Sequence, residues 1–210
     1  MSATREDVTV QRSTGLGARL VRLYLGLAGF GLSLAVMVRT NLGLGPWDVL
    51  HQGIARHLHV QLGWVTIAVS AIVVLAWIPL RQKPGLGTVS NIVVVGLTVN
   101  ASLDLLPDVH PLGVRIALLL GAIVLNAFAT ALYIGADLGP GPRDGLMTGL
   151  AARGHSIRAA RTGVEVTALA LGILFGGSYG VGTVLYALGI GPLVQRLMPL
   201  LSVRRPTEGS

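Results

Sequence analysis

The sequence predicts an all-α polytopic membrane protein: six transmembrane helices forming two inverted three-helix repeats, each with an extra short helix, interfacial or re-entrant. Three observations carry this. The 210 residues are 52% hydrophobic and 12% charged, with a mean hydropathy of +0.70, whereas soluble domains carry about 25% charged residues. Six apolar stretches, near 19–38, 62–80, 87–106, 114–135, 162–178 and 182–201, each approach the ~20 residues that cross the hydrocarbon core. Finally, "LGLGPWDVLHQGIA" at 42–55 returns as "LGPGPRDGLMTGLA" at 138–151, an offset of 96 with eight of fourteen positions identical.

Residues 1–17 read as a polar cytoplasmic tail. The run from Leu20 to Val38 is too long for a signal h-region and is read as a retained span. "NLGLG" then breaks the helix, and Pro46 suits the first turn of a new one, where its missing N–H costs nothing. Asp48 falls in that turn, where a carboxylate meets the positive helix end. The predicted helix, Pro46 to Leu58, and its copy, Pro142 to Ala152, are too short to span. Val49, Leu50, Ile54 and Leu58 suit a helix lying flat at the membrane surface, the favoured reading. A re-entrant helix is the alternative, with its N-terminus directed at a solute.

The third stretch opens on "GLGTV" at 85–89, which returns as "GVGTV" at 180–184, now at an offset of 95. Thr88 and Thr183 are expected as helix N-caps there. Arg19 matches Arg115, Gly96 matches Gly191, and Asn100 faces Gln195. The first repeat therefore covers 18–110 and the second 111–202, with a polar cytoplasmic tail at 203–210.

With both termini inside, thirteen Lys and Arg residues fall in cytoplasmic segments and three (Arg39, Arg56 and Arg115) outside. This bias sets orientation. Three spans per repeat then make the second copy enter from the opposite side, an arrangement shared by many secondary transporters. The expected location is a bacterial inner membrane.

Other features have ordinary explanations. Trp47, Trp64 and Trp77 lie near span ends, as in an aromatic interface belt. Arg161 and Glu165 suit an i,i+4 ion pair, although an intramembrane acid more often serves a proton or cation. Asn91, Asn100 and Asn126 suit interhelical hydrogen bonds, and Gly26, Gly29 and Ser33 a close helix contact. The chain has no cysteine. His51, His57 and His59 lack the spacing of a metal set, and no H-E-x-x-H or G-x-S-x-G occurs. No metal, cofactor, catalytic residue or nucleic-acid partner is expected.

The strings "LGLGPWDVLHQGIA", "KPGLGTVSN", "GGSYGVGT" and "ALGIGPLVQ" resemble the YczE-type bacterial integral membrane proteins, themselves similar to the wider YitT-like group. The resemblance covers most of residues 18–201 and implies no catalytic or binding residues. Arg143 stands where the first copy has Trp47, so no aromatic role is shared at that position.

The functional expectation is a transporter or permease-like protein for a small solute or ion, and not an enzyme. Asp48, Asp144 and Glu165, with the backbone at Gly43, Gly45, Gly139 and Gly141, form the expected pathway, and Asn100 and Gln195 come second. The alternative is a non-transporting accessory protein that docks or stabilises a partner. Besides the bilayer, a homo-oligomer or a membrane-protein partner stays open.

Overall fold

The computed structural model describes residues 15–154 and 156–202. Residues 1–14 of the first predicted tail and the whole of the second, 203–210, with Arg5, Arg12, Arg204 and Arg205 of the charge count, lie outside them. Among the described residues every regular element is helical: α1 Leu16–Thr40, α2 Pro46–Leu58, α3 Leu62–Leu75, α4 Trp77–Leu80, α5 Leu86–Leu105, α6 Leu112–Gly135, α7 Pro142–Ala151, α8 Ile157–Leu174 and α9 Val181–Leu201.

Five of these are long and apolar enough to cross a membrane: α1, α3 continued by α4, α5, α6 and α9. The fifth predicted stretch, 162–178, is helical as α8, but that helix is shorter and carries Arg158, Arg161 and Glu165. Many large apolar side chains on the candidate spans are exposed, among them Leu25, Ile72, Leu97, Leu120 and Leu188. Such a surface is solvated by lipid tails.

The centre is the α1–α6 pair. Gly26 lies against the backbone of Ala129 and Tyr133, and Gly29 against Ala129. Asn126 Nδ2 donates to Ser33 Oγ at 2.7 Å. The small-residue face of α1 is thus used within the chain. Asn126 Oδ1 also accepts from Tyr186 Oη at 3.0 Å, which ties α9 to the same pair.

Equivalent positions of the two copies make reciprocal contacts. Arg19 donates from Nε to Ala136 O at 2.9 Å and from Nη2 to Asp137 O at 2.5 Å. Arg115 donates in the same way to Thr40 O at 2.5 Å and Asn41 O at 2.9 Å. Gly87 N donates to Leu138 O at 2.7 Å, and Gly182 N to Leu42 O at 2.8 Å. Each Arg thus closes the carbonyl end of the other copy's first helix, where unsatisfied carbonyls and the negative dipole end favour a cation.

Two expectations are corrected. Thr88 and Thr183 are not N-caps: α5 and α9 begin two residues earlier, at Leu86 and Val181. Both threonines sit at the third helical position, and their Oγ atoms accept from Gly85 N and Gly180 N at 3.1 and 3.2 Å. This is the reciprocal half of a capping box. The tryptophans do not form a belt, since Trp47 and Trp77 are buried and only Trp64 is exposed. Trp77 Nε1 donates to Pro142 O at 3.1 Å, because the α4 side chain wedges against Gly145 of α7.

Candidate functional site

The two copied motifs fold alike. Asn41 and Asp137 end their helices in the left-handed region, with φ of 47° and 54°, and Gly43 and Gly139 follow at 117° and 124°. The latter values require glycine. Gly45 and Gly141 then precede Pro46 and Pro142, the first residues of α2 and α7.

The surroundings of α2 do not suit a helix with one face on lipid. Residues 46–53 of α2 are all buried, Val49 and Leu50 included. Two helical turns buried on every side leave no face for a membrane surface. Gly53, Gly172 and Gly177 bring α2 and the end of α8 into backbone contact. The last turn of α2 differs, for Leu58 is exposed. α7 is less enclosed, with Pro142, Gly145, Met147 and Gly149 buried.

The first turns of α2 and α7 meet through their side chains. Arg143 Nη2 donates to Asp48 Oδ1 at 2.8 Å, and the guanidinium carbon lies 5.3 Å from the Trp47 ring centroid. Trp47 and Arg143 occupy equivalent positions of the two copies, so the sequence difference becomes a cation–π contact between them. Asp48 is enclosed, with His51 Nδ1 at 3.7 Å from its Oδ1. Asp144, its equivalent, accepts instead from Tyr133 Oη at 3.0 Å.

A cavity of about 210 Å³ lies beside this junction. Its wall includes Trp47, Ser70, Asn91, Tyr133, Arg143, Asp144, Arg161, Glu165, Tyr186 and Gln195, drawn from both copies. Side-chain exposure falls from 51% at Arg161 through 29% at Glu165 and 21% at Arg143 to 1% at Asp48. Arg161 and Gln195 are the exposed residues among those named, so the mouth lies beside them, and Asp48 is buried behind the wall. Arg161 Nε donates to Glu165 Oε1 at 3.0 Å, the expected i,i+4 pair.

The expected pathway residues separate into two groups. Asp144, Glu165, Gly141 and Gln195 line the cavity. Asp48 sits behind the wall as the partner of Arg143, and Gly45 packs against the Tyr186 ring. Gly43 and Gly139 serve the turns, lying against Thr183 and Gly85 respectively. Asn100 Oδ1 accepts from Gly63 N at 2.7 Å, a tie between α3 and α5. The sequence reading passed over Arg143, Tyr133, Tyr186 and Trp47 as site residues. The one signal for them was the Trp-to-Arg difference inside an otherwise repeated motif.

Residues 17–199 match a family model described as a family of unknown function, DUF6198. The chain belongs to that family. An uncharacterized protein of Haemophilus influenzae is 40% identical over 181 residues, covering 86% of this chain and 83% of that protein. The uncharacterized membrane protein YczE of Bacillus subtilis is 29% identical over 175 residues, 82% of this chain and 81% of its own length. YyaS of the same bacterium is 26% identical over 184 residues, 84% and 90% of the two chains. The resemblance to YczE-type proteins therefore holds. No solved structure matches. With a membrane protein among its relatives and five apolar helices of spanning length, the DUF6198 chain is a multi-pass integral membrane protein in contact with lipid. Its relatives carry no activity in their names, so function has to be argued from the cavity.

Proposed function

We propose that this DUF6198 protein is a transporter or permease-like protein of a bacterial inner membrane, binding a small solute between two inverted three-helix repeats. α8 is the sixth span in this reading, its charged first turns facing the cavity instead of lipid, and both termini are cytoplasmic. The carrying observation is the cavity at the meeting of α2 and α7, walled by both copies. The reciprocal Arg19 and Arg115 bonds support a two-fold relation, because contacts that exchange partners mark such an axis. Under the charge-derived orientation, the mouth at Arg161 opens to the cytoplasm. α2 and α7 are then re-entrant. No covalent chemistry is assigned. The accessory-protein reading gives no reason for a polar cavity at the repeat junction.

The test is flux into proteoliposomes, read on solid-supported membranes across a panel of amines, amino acids, carboxylates and inorganic ions. At least one solute should give a saturable current. Ser70→Trp, which places an indole in the cavity, should abolish it while the protein stays monodisperse. No current with any solute, or an unchanged current in Ser70→Trp, overturns the proposal. Cysteine scanning from Asn41 to Leu58, convenient in a cysteine-free chain, should show the start of α2 shielded from lipid and reachable from water. Lipid exposure along one face of α2 would refute re-entrance.

A further inference from the structure

The charges in the cavity wall do not balance. Arg143 is held by Asp48 at 2.8 Å, and Arg161 by Glu165 at 3.0 Å. Each of these pairs is neutral. Asp144 stands apart: among the described residues it makes no ion pair, Tyr133 Oη donates to it at 3.0 Å, and the Gly141 backbone and the charges of Arg143 and Arg161 act on it without pairing. A carboxylate in such a place is costly as a bare anion, so it takes either a proton or a cation.

The rest of the wall suits a particular kind of cation. Phe30, Trp47, Tyr133 and Tyr186 are four of the chain's ten aromatic residues, and all line this cavity. Phe30 and Tyr133 meet edge to face, with ring centroids 6.3 Å apart. Aromatic faces around a carboxylate favour an organic ammonium, whose weakly hydrated charge gains from the ring quadrupoles. A cavity of about 150 Å³ holds benzene, so 210 Å³ admits a solute somewhat larger.

We propose that the cavity takes a small organic monocation, and that this cation and a proton compete for Asp144. The proposal rests on the transporter reading and adds the substrate class and the coupling. Binding of the cation to the protonated site releases the Asp144 proton to water, so charge and proton balance in a one-for-one exchange. The groups facing Asp144 are Tyr133 on α6, Arg143 on its own helix, Tyr186 on α9, Arg161 and Glu165 on α8, and Asp48 behind Arg143 on α2. With both arginines already paired, Asp144 is the group whose charge the ligand changes.

The probes are choline and 3,3-dimethyl-1-butanol, which share shape and hydroxyl and differ in charge, with 3,3-dimethylbutyrate as the anion. Binding to purified detergent-solubilised protein is followed by calorimetry and by the Trp47 fluorescence change, using a Trp64→Phe, Trp77→Phe background beside the native chain. Choline should bind at least tenfold more tightly than the alcohol, and the anion should not compete. Below the titration of Asp144 the choline dissociation constant should rise about tenfold per pH unit, the slope of one proton displaced per cation. In weak buffer the native chain should release up to one proton per choline bound. Asp144→Asn should remove both the affinity and the proton release, whereas Glu165→Gln should retain the proton release. Should Asp144→Asn fail to fold, the native proton release decides. Preference for the anion or the alcohol, or choline binding without a pH slope, overturns the proposal. A saturable flux of an anion or neutral solute, blocked by Ser70→Trp, would refute this inference and leave the transporter reading standing.

Discussion

Removing Arg143 should destabilise the protein more than removing its partner. The pair joins a carboxylate at 1% exposure to a guanidinium at 21%, with Nη2 and Oδ1 2.8 Å apart. Charge centres about 4 Å apart attract by about 4 kcal/mol at an effective dielectric constant near 20. Arg143→Met removes that attraction and leaves Asp48 buried beside His51, whose Nδ1 stands 3.7 Å away. Loss of one partner from a buried pair costs about 3–5 kcal/mol. Asp48→Asn leaves a guanidinium that still borders the cavity and stacks on Trp47, so water partly restores its solvation. That loss should be smaller, about 1–3 kcal/mol. The double variant removes both charges and should come close to the milder single variant. The assay is reversible unfolding in mixed micelles by titration with a denaturing detergent, analysed as a double-mutant cycle. An Arg143→Met variant within about 1 kcal/mol of the native chain, or additive single effects, would refute the claim that Asp48 is neutralised by Arg143.

Three further outcomes are expected. Gly172→Val should weaken the α2–α8 contact by about 1–3 kcal/mol or more, because a Cβ there would stand 2.5 Å from the backbone nitrogen of Leu50; unchanged unfolding would contradict the close approach. Asn126→Ala should cost about 2 kcal/mol, since it removes the bonds to Ser33 and Tyr186 together, and the loss should vanish on a Ser33→Ala, Tyr186→Phe background. Brominated lipids should quench Trp64 and spare Trp47 and Trp77, which are buried. Residual quenching after Trp64→Phe would show a lipid-facing indole among the other two.

Local grammar explains what the sequence could tell. Pro46, Gly45 and the preceding Gly-rich turn act through their own backbone, and α2 spans the predicted Pro46–Leu58. α7 ends at Ala151, one residue short of the prediction, for the same reason. The environment of a helix is not local. Val49 and Leu50 make the same sequence pattern against lipid or against α8, and only glycine contacts from residues 172 and 177 decide between them. Likewise Asp48 and Asp144 sit in near-identical strings, yet one is an ion-pair partner and the other borders the cavity beside a tyrosine. The difference comes from Arg143, which reaches across from the opposite copy. Thr88 and Thr183 show a smaller case: a threonine near a helix start can serve at the cap or at the third position, and here Leu138 O and Leu42 O approach the cap positions so closely that only Gly85 and Gly180 fit there.

Several positions where the copies diverge line the cavity, and this bears on function. The turn glycines, the first-turn prolines and the capping threonines are kept in both halves, because each half needs the same turns. Around the cavity, Trp47 stands opposite Arg143. With the offset of 95, Thr66 stands opposite Arg161, Ser70 opposite Glu165, and Asn91 opposite Tyr186. All eight line the same space, which also supports that offset through α3 and α8. All four charged residues of the wall, Arg143, Asp144, Arg161 and Glu165, thus come from the second copy, while the first contributes only uncharged groups. A duplication retained only to build a stable bundle would have no reason to sort its polar groups in this way. An asymmetric wall gives a bound solute one orientation between two similar halves. Under the proposed exchange, the side that carries Asp144 would change its contacts with the ligand, while the Asp48–Arg143 pair would keep its charge.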